Sequence, residues 1–351
     1  MSTRVARLYG KRNLKVETQD VRPVGAGEVL LRMAAGGICG SDLHYYQDGG
    51  FGPIQVREPI ISGHEASGHV EALGVGVTGL DLGALVAVNP SQPCGKCQYC
   101  NQGLPIHCLD MRFMGSAMRL PHEQGMFRDW LVVKAEQCFV FGQETSPGEA
   151  ACAEPLAVCL HAVAQAGRLS GRRVLVTGAG PIGLLTVAAA RHAGAAEIVV
   201  TDIADAALAR APAMGASKTI NVLCDPEALA PYQADKGSFD VAFDCSAAGP
   251  ALRAGFAAIK PRGTIVQVGV TGDMTIPLNA LVGKEIIWRG SQRFDQEFEQ
   301  AVQLISSRKI DVRPIISHQF PLKDAVAAFE QAGDRSVACK VQITFGAQTD
   351  T

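Results

Sequence analysis

The sequence predicts an α/β-plus-β protein, with a barrel-like all-β unit joined to a doubly wound parallel-sheet unit. Two changes of texture predict it. The first 140 or so residues carry short apolar segments broken by Gly and Pro turns. From about Pro147, apolar strand patterns alternate with Ala-rich helical ones, the mark of a parallel sheet. The length, 351 residues, suits two domains.

Taken in order, segments 28–33, 66–73 and 85–89 read as strands of the first unit. A strand at 174–177 then leads into a helix at 182–192, a strand at 197–201 and a helical stretch after Asp205. Pro212 predicts a kink or an early end for that stretch, because its ring excludes an interior helical hydrogen bond. Strands at 239–243 and 264–268 flank a helix at 251–259. Two amphipathic helices at 298–306 and 323–332 precede a closing strand at 339–345.

Composition excludes several classes. With 47% hydrophobic and 19% charged residues the chain is neither disordered nor fibrous. Lys+Arg 32 against Asp+Glu 34 leaves a charge of -2, without the basic patch that nucleic acid or an anionic membrane needs. No apolar signal follows Met1, and the uncharged run 174–190 is broken by Gly178, Gly180, Pro181 and Gly183. The expectation is a soluble cytoplasmic protein acting on a small molecule. In a reducing compartment the eleven cysteines read as metal ligands before disulfides.

Four of them, Cys94, Cys97, Cys100 and Cys108, fall within fifteen residues among Gly95, Gly103 and Pro105. Four thiolates close a tetrahedral Zn²⁺ and leave no position for water or substrate, so this metal is expected to be structural. A second pattern, Val174-Leu-Val-Thr-Gly178-Ala-Gly180-Pro181-Ile182-Gly183, follows a strand and opens a helix. Gly178 permits the tight turn, Gly180 lets the backbone approach a pyrophosphate, and Gly183 lets helix and strand pack. Asp202, ending the next strand, would accept the ribose hydroxyls and repel a 2′-phosphate; Ile203 and Ala204 follow it, with no adjacent arginine to receive that phosphate. NAD is expected over NADP.

The third signal is dispersed: Gly37-Ile-Cys39-Gly-Ser41-Asp42-Leu-His44, Gly63-His64-Glu65, and Ala153-Glu154-Pro155. Together these supply a thiolate, an imidazole and a carboxylate, a set suited to Zn²⁺ with an open fourth position. Asp42 can orient His64 through its second ring nitrogen. An open zinc beside a nicotinamide points to alcohol oxidation.

In these motifs and their order the chain resembles the zinc-dependent medium-chain alcohol/polyol dehydrogenases over essentially its whole length. The resemblance implies a GroES-like β-barrel catalytic domain, residues 1–147 and 287–351, with a structural zinc lobe at about 90–110. Residues 148–286 would form a Rossmann NAD-binding domain. It also implies two zinc ions per subunit, the catalytic one held by Cys39, His64 and Glu154, with Glu65 as an alternate ligand. Ser41 and His44 would relay a proton to solvent. A carboxylate at Glu154 resembles the sorbitol and polyol branch, and nearby Cys152 and Cys159 leave a Cys/His/Cys set open. Stretches such as Asp42-Leu-His-Tyr-Tyr-Gln and Gly290-Ser-Gln-Arg-Phe resemble the L-idonate-oxidising members. They imply L-idonate to 5-ketogluconate, with sorbitol, xylitol or L-threonine as alternatives. Arg112 and Arg293 are then candidates for gripping the carboxylate, with Tyr45 and Phe113 on the pocket wall. A homo-tetramer or homo-dimer is expected.

Overall fold

The computed structural model describes residues 1–270 and 272–346. The first unit is built on a seven-stranded sheet whose path runs 138–140, 85–88, 65–73, 28–37, 340–344 and 316–321, with 130–134 also pairing to 28–37. The long strand Glu28–Gly37 is its hub, flanked by Glu65–Leu73, Trp130–Lys134 and Lys340–Thr344. Register shifts at Leu30/Leu31 and Met33/Ala35 bend this hub as β-bulges do, and so curve the sheet. The hub also runs to Gly37, four positions beyond the expected end at 33. A smaller sheet of Ser2–Leu8, Leu14–Asp20 and Ile60–Ile61 packs beside it.

The second unit is a six-stranded parallel sheet in the order 218–221, 197–202, 173–177, 239–244, 259–267, 287–290. The order reverses beside Arg173–Thr177, the switch point at which doubly wound sheets open a ligand crevice. The helix Pro181–His192 is apolar on nearly every side because residues Gly183 to Ala190 are buried between sheet and neighbouring helices. The helix starting at Asp205 lasts a single turn, Asp205–Leu208, and a short 3₁₀ turn begins at Pro212, in line with the early end that proline imposes.

One departure concerns a boundary. The strand Ile287–Gly290 pairs with Ile259–Gln267, so the parallel sheet continues past the expected boundary at 286. The closing strand Lys340–Thr344 pairs antiparallel with Glu28–Gly37, which makes the first unit from both ends of the chain. Helices Ala153–Ala166 and Glu297–Ser306 share one hydrophobic core with the parallel sheet, through Leu156, Leu160, Phe298 and Ile305 among others.

Candidate active site and metal centres

Cys39 sits at the N-terminal cap of the helix Gly40–Asp48, in extended backbone. Asp42, fully buried in the first turn, organises the surroundings. Its Oδ2 accepts the Cys39 amide at 3.0 Å, and its Oδ1 accepts the Gly63 amide at 3.1 Å. His64 Nδ1 lies 3.9 Å from Asp42 Oδ2, so the carboxylate faces the ring nitrogen turned away from a metal ligand's role. Burial pushes the Asp42 carboxyl up, and the nearby His64 opposes the shift. The Cys39 thiol is pushed up to about 11, chiefly by burial and then by the charge of Glu65.

The ligand atoms of Cys39, His64 and Glu65 lie within 4.8 Å of one another. Glu154 stands outside that compact trio, in the first turn of Ala153–Ala166. The two acids differ in partners. Lys340 Nζ donates to both Glu65 oxygens, at 2.8 and 2.7 Å, and to the Ile38 carbonyl at 3.2 Å. Gly37 makes room, because a Cβ there would overlap the Glu65 carboxylate. Glu154 is 5% exposed and has no hydrogen-bond partner among the described residues. Its carboxyl is pushed up to about 8, first by burial and then by Glu65 and Cys39, with His64 opposing. A buried carboxylate without a partner facing a thiol and an imidazole is a donor set that fits Zn²⁺. Cys152 instead donates toward the Gly148 carbonyl, and Cys159 toward the Ile182 carbonyl.

Ser41 and His44 are three apart on one helix and share a face. His44 is exposed, its Nδ1 lies 3.2 Å from Asp48 Oδ2, and its ring centroid is 5.7 Å from Phe51. No hydrogen bond joins Ser41 to His44 among the described residues.

The two candidate arginines separate. Arg112 directs its fork to Glu123, at 2.7 and 3.3 Å, on the surface. Arg293, at φ 45°, lays its guanidinium over Phe113 with Cζ 4.0 Å from the ring centroid. Phe113 in turn lies 5.5 Å from the His64 ring. Burial lowers the Arg293 pKa, while Glu154 and Tyr45 face it and raise it. Tyr45 is buried, with its hydroxyl accepting the Ala117 amide at 3.2 Å. Arg293 therefore belongs with Glu154, His64, Tyr45 and Phe113, and Arg112 does not. A cavity of about 80 Å³ connects Arg293 and Phe294 to Pro105, Ile106 and Met111 of the cysteine lobe.

In that lobe the sulfurs of Cys94, Cys97, Cys100 and Cys108 converge within 4.8 Å. Cys97 and Cys100 are 3.6 Å apart, Cys97 and Cys108 4.0 Å. Thiolates on a tetrahedral zinc with ~2.3 Å bonds sit about 3.8 Å apart, so the spacing fits that ion. Backbone amides of Cys100 and Leu109 hold the Cys97 thiol down to about 6. All eleven cysteines are free.

At the switch point Gly178 adopts φ 92° and Gly180 caps the helix that Pro181 begins. A Cβ on Gly183 would overlap the Gly178 carbonyl oxygen, so only glycine allows this approach. Ile182 turns its carbonyl to Thr186 and Cys159. Asp202 accepts the amides of Ala179 at 2.6 Å, Ile203 at 2.7 Å and Ala204 at 2.9 Å, which ties the second strand to the glycine turn. Asp244, unremarked in the sequence, accepts from Thr177, Ser246 and Gln267 at 2.7 Å each and joins three strand ends around the crevice.

A parallel-sheet crevice with a glycine turn, beside a barrel that presents Cys, His and carboxylate donors, defines a zinc- and dinucleotide-using dehydrogenase. Comparisons agree. Residues 25–143 match the family "Alcohol dehydrogenase GroES-like domain" and residues 181–307 the family "Zinc-binding dehydrogenase". The chain belongs to the zinc-dependent medium-chain alcohol/polyol dehydrogenase family and is an enzyme of that kind. It is 41% identical over 337 residues to L-idonate 5-dehydrogenase (NAD(P)(+)) of Escherichia coli K12, covering 96% of this chain and 97% of that protein. The crystal structure of L-idonate 5-dehydrogenase from Escherichia coli K-12 superposes with a TM-score of 0.94 at 40% identity, over 98% of this chain and 99% of that one. Sorbitol dehydrogenase of Pongo abelii is 35% identical over 329 residues, covering 92% of this chain and 90% of that protein. Among the described residues no helix is long and apolar enough to cross a membrane.

Proposed function

We propose that the protein oxidises a secondary hydroxyl of a sugar acid with NAD⁺, L-idonate to 5-ketogluconate being the leading reaction. The observation that carries the acid is Arg293, a partly buried cation next to Glu154 and Tyr45. Similarity to L-idonate 5-dehydrogenase supports the same choice. Cys39, His64 and Glu154 would hold the catalytic ion, and the four lobe cysteines a second, structural one. A zinc ion supplies Lewis acidity that makes a hydroxyl easier to deprotonate, and the nicotinamide supplies the hydride acceptor. The chain's residues do the rest. Asp42 fixes the His64 ring, Ser41 takes the substrate's proton, and His44, backed by Asp48, returns it to solvent. Phe113 and Phe51 exclude water from this path. Arg293 grips the remote carboxylate, and Asp202 favours the free ribose of NAD⁺ over NADP⁺.

The test is a panel of L-idonate, sorbitol, xylitol and L-threonine with either cofactor, run on wild type, Arg293→Ala and Arg112→Ala. A charge-assisted bidentate pair contributes about 1.5–3 kcal/mol, so Arg293→Ala should lose roughly ten- to a hundredfold in kcat/KM on L-idonate and little on sorbitol. Arg112→Ala should spare both, since Glu123 already occupies that fork. Equal losses on the two substrates from Arg293→Ala would remove the acid reading. The neutral-polyol reading, supported by the sorbitol dehydrogenase relatives, then stands.

A further inference from the structure

A cavity of about 170 Å³ opens where the strand Leu14–Asp20 and the residues after it face Arg128 and the strand Trp130–Lys134. None of the metal or dinucleotide residues lines it. Its walls carry Thr3, Gln19, Asp20, Arg22, Arg128 and Trp130. The space is well above the ~10–15 Å³ that one water needs.

Arg128 is the anomaly. Its Nε and Nη2 both donate to the Gly125 carbonyl, at 3.0 and 2.7 Å, and no carboxylate pairs with it among the described residues. The acids nearby in sequence or on neighbouring strands are taken: Asp129 by Arg4, Glu28 by Arg22, and Glu17 by Arg7. Asp20, the acid on the cavity wall, is exposed and forms no ion pair with Arg128. The charges that Arg128 does feel, Arg7 and Arg22, are both positive, and burial adds to them in pulling it down to about 10. Gln19 holds Arg7 through its Oε1, which leaves its amide NH₂ as a donor on the cavity wall. A half-buried guanidinium without a counter-ion, in a space that admits one, gains when an anion arrives.

We propose that this cavity binds a small oxyanion, a carboxylate or a phosphate, with Arg128 as its counter-charge and Gln19 as a side donor. Binding would favour the folded state and so raise the melting temperature with ligand concentration. The site is independent of the substrate reading.

Trp130 reports on it directly. The chain has only two tryptophans, so Trp288→Phe leaves Trp130 as the sole indole. In that background inorganic phosphate and acetate are titrated separately at constant ionic strength, with chloride as reference. The expected result is a saturable change in Trp130 fluorescence and a matching rise in Tm with one anion or both. The anion that saturates at the lower concentration identifies the source. Arg128→Met should weaken binding at least tenfold, Arg128→Lys should retain part of it, and Arg293→Ala should leave it unaltered. Should Arg128→Met fail to fold, Arg128→Lys and Gln19→Leu still test the assignment, each expected to raise the apparent Kd. A response that chloride reproduces, no response to either anion, or an unchanged Kd in the Arg128 variants overturns it.

Discussion

Lys340 shows what a single residue contributes at this centre. It is 2% exposed and grips Glu65, which is 1% exposed, through both carboxylate oxygens. The pair keeps Glu65 engaged, and leaves Glu154 as the acid without a partner. Removing one member of a buried pair strands the other, at a cost of about 3–5 kcal/mol. Lys340→Met is expected to lose that much in urea unfolding, and adding Glu65→Gln should recover part of it. A double-mutant cycle that shows no coupling would contradict the clamp. The sequence held a clue, since Lys340 opens an otherwise uncharged strand, Lys-Val-Gln-Ile-Thr, and fully buried lysines need partners. The choice between Arg112 and Arg293 was not legible in the same way. Both lie near cleft segments, and only the folded chain brings Glu123 to one and Phe113 to the other.

Short elements here owe their shape to ligands and ion pairs more than to propensity. Between Cys94 and Cys108 the lobe contains only the helix Gln98–Asn101 and a 3₁₀ turn, Pro105–His107, with no buried residue in either. With no core of its own, its order is expected to depend on metal. Cys94→Ser should cut zinc from two ions per subunit to one and open the loop to proteolysis, while the parallel sheet keeps its hydrogen-exchange protection. Unchanged metal content would remove the lobe assignment. In the parallel sheet, Asp240 anchors the strand Phe239–Asp244 by accepting the Arg173 amide at 2.9 Å and Lys260 at 3.1 Å. Burial raises its carboxyl, but these hydrogen bonds and cations outweigh it and leave the pKa below the ordinary value of 3.8. A depressed acid stabilises above its unfolded pKa, and that stability is lost as pH falls below 3.8 toward the folded value. Asp240→Asn should therefore cost about 1 kcal/mol near neutrality, modest because Lys260 is partly in water, and should flatten the acid limb of stability against pH.

At the scale of the molecule, periodicity and turn chemistry made the four central strands of the parallel sheet legible, because strands buried on both faces read as continuous apolar runs, while the edge strands Lys218–Asn221 and Ile287–Gly290 went unread. The barrel was harder. Ser2–Leu8 mixes two arginines into its pattern, and Arg4 and Arg7 find Asp129 and Glu17 only after folding. The helix Gly40–Asp48 was not read as a helix, because its apolar face is weak; the sequence offered only its motif of Cys39, Ser41 and His44. Candidate metal donors were legible as residues but not as a geometry, since Cys39, His64 and Glu65 meet only through long-range packing. One surface also bears on assembly. The edge strand Ile287–Gly290 has a partner on one side only, and Ile287, Trp288, Val282 and Leu278 are exposed there, at 44%, 39%, 71% and 60%. An open apolar sheet edge is a template for a second strand. A homo-oligomer joined at this edge is expected, and Ile287→Lys should move the sedimentation coefficient toward that of a monomer. Wild type sedimenting as a monomer would set this aside.

The pairing of Lys340–Thr344 with Glu28–Gly37 also imposes an order on biosynthesis. A strand made early must wait for one made near the end, after the whole parallel-sheet unit has emerged from the ribosome. Until Lys340 arrives, Glu65 has no counter-charge beside Cys39 and His64, and the pocket is unfinished. Contacts so distant along the chain close slowly. Maturation of the catalytic centre is therefore a late event, and a nascent chain halted at the parallel sheet would hold a folded dinucleotide crevice with no completed site for chemistry.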